Sequence, residues 1–173
     1  MKFSSIKKLP TTNYHTHVPF GRLERWLERQ GKDYEVNTDP AYQRGYVWTD
    51  KQKTEFVEYV LKGGQSGRDI YWNCPAYDTA SNDLNFELVD GKQRLSAILG
   101  FLRNEVKTFG YFYNEFEDAD TMLKGSDLYF KMNINNLQTQ TEVVDWYLGM
   151  NTGGSVHTEE DLKIAIEYRN AQV

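Results

Sequence analysis

The sequence predicts a small α+β domain in which helices surround a mixed β-sheet. Short apolar runs typical of strands alternate irregularly with amphipathic segments that carry helix caps. The chain has 173 residues, of which 39% are hydrophobic and 14% aromatic, and this is enough to close one core. It contains no internal repeat, low-complexity tract or linker. We therefore expect a single domain over residues 1–173.

Composition and charge limit the function classes. The net charge is −5, from 25 acidic and 20 basic residues, which disfavours non-specific binding to nucleic acid but allows a local basic groove. The lone Cys74 forms no intramolecular disulfide and is expected to be a small core residue. Residues 1–10 lack the apolar segment of a signal peptide, and no apolar run approaches membrane-spanning length. These features predict a soluble, cytoplasmic protein with no membrane partner.

Four helices are predicted by apolar stripes and by their capping residues. One apolar stripe ends at Gly31 and predicts the first helix. Capping boxes at 49–52 and 139–142 begin two further helices, and Thr158 caps the last one. Residues 151–154 are expected to form a flexible turn before this last helix.

Strands are predicted where apolar and polar residues alternate. The clearest alternation covers 128–134, and 69–74 and 34–37 are further candidates. The aromatic segment 108–113 is also strand-like, whereas the acidic segment 114–120 is expected to be a surface loop.

The stretch 86–95 predicts a buried strand, a tight turn and a fifth, central helix. Gly91 permits a positive φ and removes the Cβ that would block a ligand, and the N–H groups of the first helical turn attract anions. Arg94 could bind phosphate in a forked contact, and Asp90 suggests a bridging Mg²⁺ or an activated water. A simpler alternative is that Asp90 caps the helix while Lys92 and Arg94 are solvated. The helix is expected to bury Leu95, Ile98, Leu99 and Leu102.

The loop at 40–48 is irregular and combines aromatic with polar side chains. Loops of this composition either seal a core or line a site. Here they could stack a base and contact a phosphate; alternatively, the aromatic rings are core residues and Arg44 is an ion-pair partner.

Three motifs in this order resemble a known family. They are Tyr42-Gln43-Arg44 with a following Trp48, then Asp90-Gly91-Lys92-Gln93-Arg94-Leu95, and then Asn151-Thr152-Gly153-Gly154. Together they resemble the N-terminal domain of GmrSD-type restriction endonucleases, a relative of the ParB/sulfiredoxin-like fold. The resemblance covers residues 20–165 and implies that fold for the mixed sheet.

The resemblance also implies roles for individual residues. The Asp-Gly motif of the family is associated with hydrolysis of a nucleoside triphosphate, which implies Asp90, Gln93 and Arg94 as catalytic residues. Asp90 would hold Mg²⁺. The bound nucleotide, GTP or ATP, would be contacted by Tyr42, Gln43, Arg44, Gly91, Lys92, Arg94 and Asn151.

Two features depart from the family pattern. Lys92 stands where the family has glutamine, and the extra cation would either strengthen phosphate binding or displace a residue that positions water or metal. The histidine-asparagine-histidine nuclease domain of full-length members has no counterpart, because His15, His17 and His157 lie in no catalytic cluster. We therefore expect no DNA cleavage by this chain alone. We interpret it as a truncated or free-standing version of the domain, the latter phage- or plasmid-borne.

Three functional hypotheses follow. The first is a Mg²⁺-dependent nucleoside triphosphatase. The second is a DNA-sensing module that inspects a nucleotide in the same pocket. The third is a non-catalytic decoy that binds a restriction or defence complex, which fits the acidic charge and the missing nuclease.

Overall fold

A computed structural model describes residues 10, 12–125, 127–151 and 159–172. Five strands form one mixed sheet in the order β1-β5-β3-β4-β2. Their bounds are β1 Tyr14–Pro19, β2 Glu35–Asn37, β3 Asp69–Asn73, β4 Asn85–Asp90 and β5 Tyr129–Asn135. Six α-helices lie within the described residues: α1 Leu23–Asp33, α2 Asp50–Leu61, α3 Lys92–Leu102, α4 Ala119–Leu123, α5 Gln140–Asn151 and α6 Glu159–Asn170. The predicted α+β class is confirmed.

The directions of the strands place two segments, the turn from β4 into α3 and the segment before β3, at one end of the sheet. β3 and β4 are antiparallel, so the end of β4 lies beside the beginning of β3. β5 runs parallel to β3, and β2 runs parallel to β4. Consequently α3, which follows β4, begins at the same end of the sheet as the segment that leads into β3.

One face of the sheet carries the main hydrophobic core. Alternate residues of the central strands point to this face, as the two-residue period of a strand requires. They pack against side chains of α1, α2 and α3. The fully buried strand residues of this core are Ile70, Trp72, Phe86, Leu88, Phe130 and Met132. Cys74 is buried in the same cluster, as predicted, and burial raises the pKa of its thiol.

The opposite face carries a smaller core and a buried polar row. α5 and α6 contribute Val143, Val144, Trp146, Tyr147 and Ala165 to this second cluster. Beneath them Asn135, Asn73 and Glu87 are register neighbours across β5, β3 and β4, and all three are buried. This helical layer therefore rests on a surface that is largely polar.

Four predictions about local structure need correction. β1 was missed because it is an edge strand whose only buried residue is Val18, so it has no apolar alternation. Residues 108–113 do not form a strand, since only a bridge between Thr108 and Tyr111 closes a tight turn there. The predicted loop 114–120 contains the start of α4, and α1 continues past Gly31. The predicted turn after Asn151 and the cap at Thr158 lie outside the described residues.

The central helix is oriented slightly differently from the prediction. Leu95 and Ile98 are 2% and 1% exposed, as expected for core residues. Leu99 and Leu102 are only partly buried at the margin of the same cluster. Their predicted burial is thus only partial, because the inward stripe of α3 runs through Ala97 and Phe101 as well as Leu95 and Ile98.

Glu87 gives the stability of the fold a testable pH dependence. Its carboxyl is buried and accepts a hydrogen bond of 2.9 Å from Gln140 Nε2. Burial raises the pKa of this carboxyl above its ordinary value of 4.5. The folded protein therefore holds the proton more tightly than the unfolded chain does. It follows that the free energy of unfolding decreases as the pH rises from the ordinary carboxyl pKa through the raised one.

We expect Glu87→Gln to remove this decrease in the free energy of unfolding with rising pH. Glutamine keeps an oxygen that can accept from Gln140 but carries no charge to desolvate, so stability at pH 7 should equal or exceed that of the wild type. Chemical unfolding between pH 4 and 8 measures the effect, with Glu28→Gln on the exposed side of α1 as the control. Parallel pH profiles for the wild type and Glu87→Gln would contradict the prediction.

Candidate functional site

The turn from β4 into α3 requires a glycine. Gly91 has φ of +106°, and a Cβ there would lie 2.5 Å from Cδ1 of Ile70. Its N–H donates to Oδ1 of Asp90 at 2.7 Å, which fixes the Asp90 carboxylate at the beginning of α3. The predicted strand, tight turn and helix are confirmed.

Arg94 joins this turn to the segment that leads into β3. Its Nη2 donates to Oδ2 of Asp90 at 2.8 Å. Its Nη1 donates to the carbonyl oxygens of Gly67 and Asp69 at 3.2 and 2.9 Å. The side chains of Arg94 and Asp90 are 20% and 30% exposed, so the ion pair is partly accessible. The simpler alternative, in which Arg94 is only a solvated cation, is therefore wrong, because Arg94 anchors two segments of the site.

Gln93 binds the backbone of the facing loop, by which we mean residues 39–48. Its Oε1 accepts from the N–H groups of Val47 and Trp48 at 3.1 and 3.2 Å. Its Nε2 donates to the carbonyl of Gly45 at 3.0 Å. The Gln93 amide therefore fastens the far end of the facing loop to α3.

Lys92 fastens the near end of the facing loop. Its side chain is 4% exposed and its ammonium donates to the Asp39 carboxylate and, at 2.9 Å, to the carbonyl oxygen of Arg44. Nζ also lies 4.8 Å from the centre of the Tyr46 ring. The ammonium that was expected to meet a phosphate is therefore already paired with a carboxylate.

The Tyr42-Gln43-Arg44 motif is divided between core and site. Gln43 Nε2 donates to the carbonyl oxygens of Leu88 and Val89, the latter at 2.8 Å, and so ties the facing loop to the end of β4. Tyr42 is fully buried against Tyr147, and burial raises the pKa of its hydroxyl well above the ordinary range. The prediction of Tyr42 as a ligand contact is therefore corrected, because its ring belongs to the second core.

These elements enclose a cavity of about 400 Å³. Side chains of α3, the facing loop and α5 line it together with the segment before β3. The lining residues are Gln43, Arg44, Trp48, Ser66, Gly67, Asp90, Gly91, Lys92, Gln93, Arg94, Tyr147 and Asn151. All predicted site residues except Tyr42 thus meet at one cavity.

Three lining residues were not predicted: Ser66, Gly67 and Tyr147. Gly67 has φ of +78°, and a Cβ there would lie 3.1 Å from Phe56 and 3.3 Å from Arg94. The close spacing of glycines at 63, 64 and 67 is the sequence signal that could have indicated this tight approach of backbone to a site. Tyr147 had no such signal, because an aromatic residue in an amphipathic helix is ordinarily a core residue.

The chemistry of the cavity is compatible with a magnesium ion that is held mainly by a substrate. Mg²⁺ commonly uses one or two protein carboxylates together with substrate phosphates and water. Asp90 supplies one partly exposed carboxylate, and each of its oxygens already accepts one hydrogen bond. The described part of the chain contains no group of three histidine, cysteine or acidic side chains that could hold a metal by themselves. Asp90 therefore fits a phosphate-dependent site and not an all-protein site.

Comparison with known protein families identifies a match over most of the chain. The family model described as the GmrSD restriction endonuclease N-terminal domain matches residues 23–166. No curated protein matches the chain, and no solved structure matches it. The relation to the ParB/sulfiredoxin-like fold therefore stays a prediction. In the described residues, no helix is long and apolar enough to cross a membrane.

Proposed function

This chain belongs to the family of GmrSD restriction endonuclease N-terminal domains, and on that premise we propose that its cavity binds a nucleoside triphosphate, GTP or ATP, and hydrolyses it. The family itself belongs to restriction systems, which supports a defence-related role. The proposal concerns the ligand of the cavity and the chemistry that the cavity performs.

The proposal rests on one observation: α3 begins at the wall of the cavity, beside an arginine-carboxylate pair. The first-turn N–H groups of a helix have no carbonyl partner within it, and the helix dipole favours a negative charge there. Gly91 precedes these groups in a turn where a Cβ would meet Ile70 of the core, and Arg94 lies within the same first turn of α3. Together they provide the backbone donors and the cation that phosphate binding needs.

The facing loop and α5 supply the remaining contacts in this proposal. Arg44 and Gln43 line the cavity from the facing loop, and Asn151 lines it from α5. Trp48, which packs against Phe56 at 5.4 Å between ring centres, is the aromatic residue of the loop that reaches the cavity. It is the candidate stacking surface for the base. The cavity volume of about 400 Å³ lies within the range of small-molecule sites.

Asp90 would hold Mg²⁺ in this proposal, and the ion would neutralise charge on the triphosphate. The residues of this chain would orient the nucleotide around that charge. Arg94 would remain fixed by the carbonyls of Gly67 and Asp69, so it would present a guanidinium whose position does not have to be organised when the ligand arrives.

We expect Asp90→Asn to separate nucleotide binding from turnover. Asparagine keeps an oxygen for the Gly91 N–H but removes the carboxylate charge. Arg94 loses its bond to Asp90 but keeps those to the carbonyls of Gly67 and Asp69, so affinity measured without Mg²⁺ should change little. The gain in affinity on adding Mg²⁺ and the release of inorganic phosphate should both disappear. Calorimetry with ATP and GTP, with and without Mg²⁺, gives the first readout, and a phosphate-release assay gives the second. An Asp90→Asn protein that retains its Mg²⁺ response would contradict the assignment.

Duplex DNA in the same titration distinguishes the alternative hypotheses. A DNA-sensing domain would bind the duplex more tightly than it binds free nucleotide. A decoy that acts on a restriction or defence protein would bind neither ligand. If the wild type binds no nucleotide under any of these conditions, the proposed function is wrong.

A further inference from the structure

We propose that Asp39 is a positioning residue, which holds the facing loop over the cavity through its ion pair with Lys92 and thereby sets the affinity for the ligand. This inference rests on the proposed function for the identity of the ligand. Asp39 is not among the residues that line the cavity. Asp39 therefore does not itself contact a ligand in the cavity, and it acts through Lys92 and the loop that Lys92 holds.

Asp39 is well placed to anchor the beginning of the loop. Its N–H donates to Oδ1 of Asn37 at the end of β2 at 3.0 Å, which fixes its backbone to the sheet. Its carboxylate accepts from the ammonium of Lys92, the first residue of α3. Asp39 thus joins the edge strand to the helix whose N-terminus forms the cavity wall.

The ammonium of Lys92 binds two positions of the facing loop at once. It binds the Asp39 carboxylate and also the carbonyl oxygen of Arg44, five residues further along. Between these contacts, the N–H of Gln43 donates to the carbonyl of Pro40 at 3.0 Å and forms a tight turn. Gln43 and Arg44, which line the cavity, therefore sit on a turn whose two ends are held by one ammonium.

The burial of the two partners is unequal, and this makes the pair sensitive to change. The Lys92 side chain is 4% exposed, whereas the Asp39 side chain is 62% exposed. Loss of the carboxylate leaves an ammonium with almost no access to water and without its counter-ion, which is strongly unfavourable. The least costly relief is movement of the loop, which lets water reach Lys92 but displaces Gln43 and Arg44.

The test uses the full chain and the conservative substitution Asp39→Asn. We expect amide hydrogen exchange to speed up at least about tenfold in the facing loop while exchange in the buried part of α3 stays unchanged. Affinity for ATP with Mg²⁺ should fall by a similar factor in calorimetry. Glu55→Gln is the matched control, because Glu55 forms an exposed pair with Lys51 at 3.7 Å and does not touch the loop.

A double variant distinguishes positioning from a general loss of stability. Asp39→Asn combined with Lys92→Met removes both charges, so no buried ammonium is left unpaired. Lys92→Met by itself also removes the bond to the Arg44 carbonyl, so it is the reference for the double variant. The double variant should exchange in the facing loop no faster than Lys92→Met alone, because Asp39 acts only through that ammonium. Additive, independent effects would instead make the double variant exchange faster than Lys92→Met alone.

The outcomes separate this inference from the proposed function. If the wild type binds ATP, but Asp39→Asn keeps wild-type affinity and wild-type loop exchange, the inference is overturned and the proposed function stands. If the wild type binds no nucleotide, the proposed function fails, and loop exchange alone decides the role of Asp39. Unchanged exchange in Asp39→Asn overturns that role. Faster exchange in Asp39→Asn, together with equal exchange in Lys92→Met and in the double variant, supports it.

Discussion

Replacing Arg94 by alanine is expected to weaken nucleotide binding more than any other single change in the cavity. A charge-assisted hydrogen bond that is shielded from water contributes about 1.5–3 kcal/mol, which corresponds to roughly a 10- to 150-fold loss of affinity. The substitution also releases Asp90 and the carbonyl oxygens of Gly67 and Asp69, so it loosens the two segments that the guanidinium joins. Calorimetry with ATP and GTP measures the loss.

Two further variants test the physical reason for this effect. Arg94→Lys keeps the charge but has no planar fork with which to reach both carbonyls and Asp90, so it should recover only part of the affinity. Arg103→Ala removes an arginine from an exposed pair with Glu24 at 2.7 Å, at the other end of α3, and should bind like the wild type. Equal affinity in Arg94→Ala and the wild type would show that phosphate does not bind at this end of α3.

Ile98→Ala is expected to destabilise the fold strongly. Ile98 is 1% exposed within the main core, and truncation of such a residue costs about 2–5 kcal/mol in the free energy of unfolding. Leu99→Ala, one position further, should cost less than that, because Leu99 is only partly buried at the margin of the cluster. Chemical denaturation of the two variants measures the difference.

This pair of variants tests the rotation of α3 about its axis, and hence the direction in which its first turn faces. The two residues differ by 100° around the helix and carry side chains of equal size. If Leu99→Ala proved as costly as Ile98→Ala, the helix would face the core differently. The positions of Arg94 and Gln93 at the cavity would then need revision.

Local rules correctly predicted the elements that depend on neighbours in the chain. The helix caps are one example: Gln52 N–H donates to Thr49 Oγ1 at 3.3 Å, and Glu142 N–H donates to Thr139 Oγ1 at 3.3 Å. The strand, turn and helix around Gly91 are another, because a glycine with positive φ between two periodic segments leaves few other structures. In each case the interacting atoms are separated by at most four residues.

The family motifs also identified most of the cavity before its geometry was known. Gln43, Arg44, Asp90, Gly91, Gln93 and Arg94 all line it. What the motifs did not give was the partner of each side chain. The resemblance implies a catalytic role for Gln93 and a nucleotide contact for Lys92, and in the structure their polar groups bind the facing loop.

The amino-acid sequence alone therefore determined the fold class, the helix caps, the turn at Gly91 and the participation of two separate motifs in one site. Tertiary structure decided that Tyr42 is a core residue, that β1 is an edge strand, and that Ser66 and Gly67 complete the cavity. The physical reason is the separation along the chain between the residues that interact. Caps and turns depend on atoms a few residues apart, whereas the ammonium of Lys92 finds its carboxylate 53 residues away. Contacts of that kind exist only once the sheet has brought the end of β2 beside the beginning of α3.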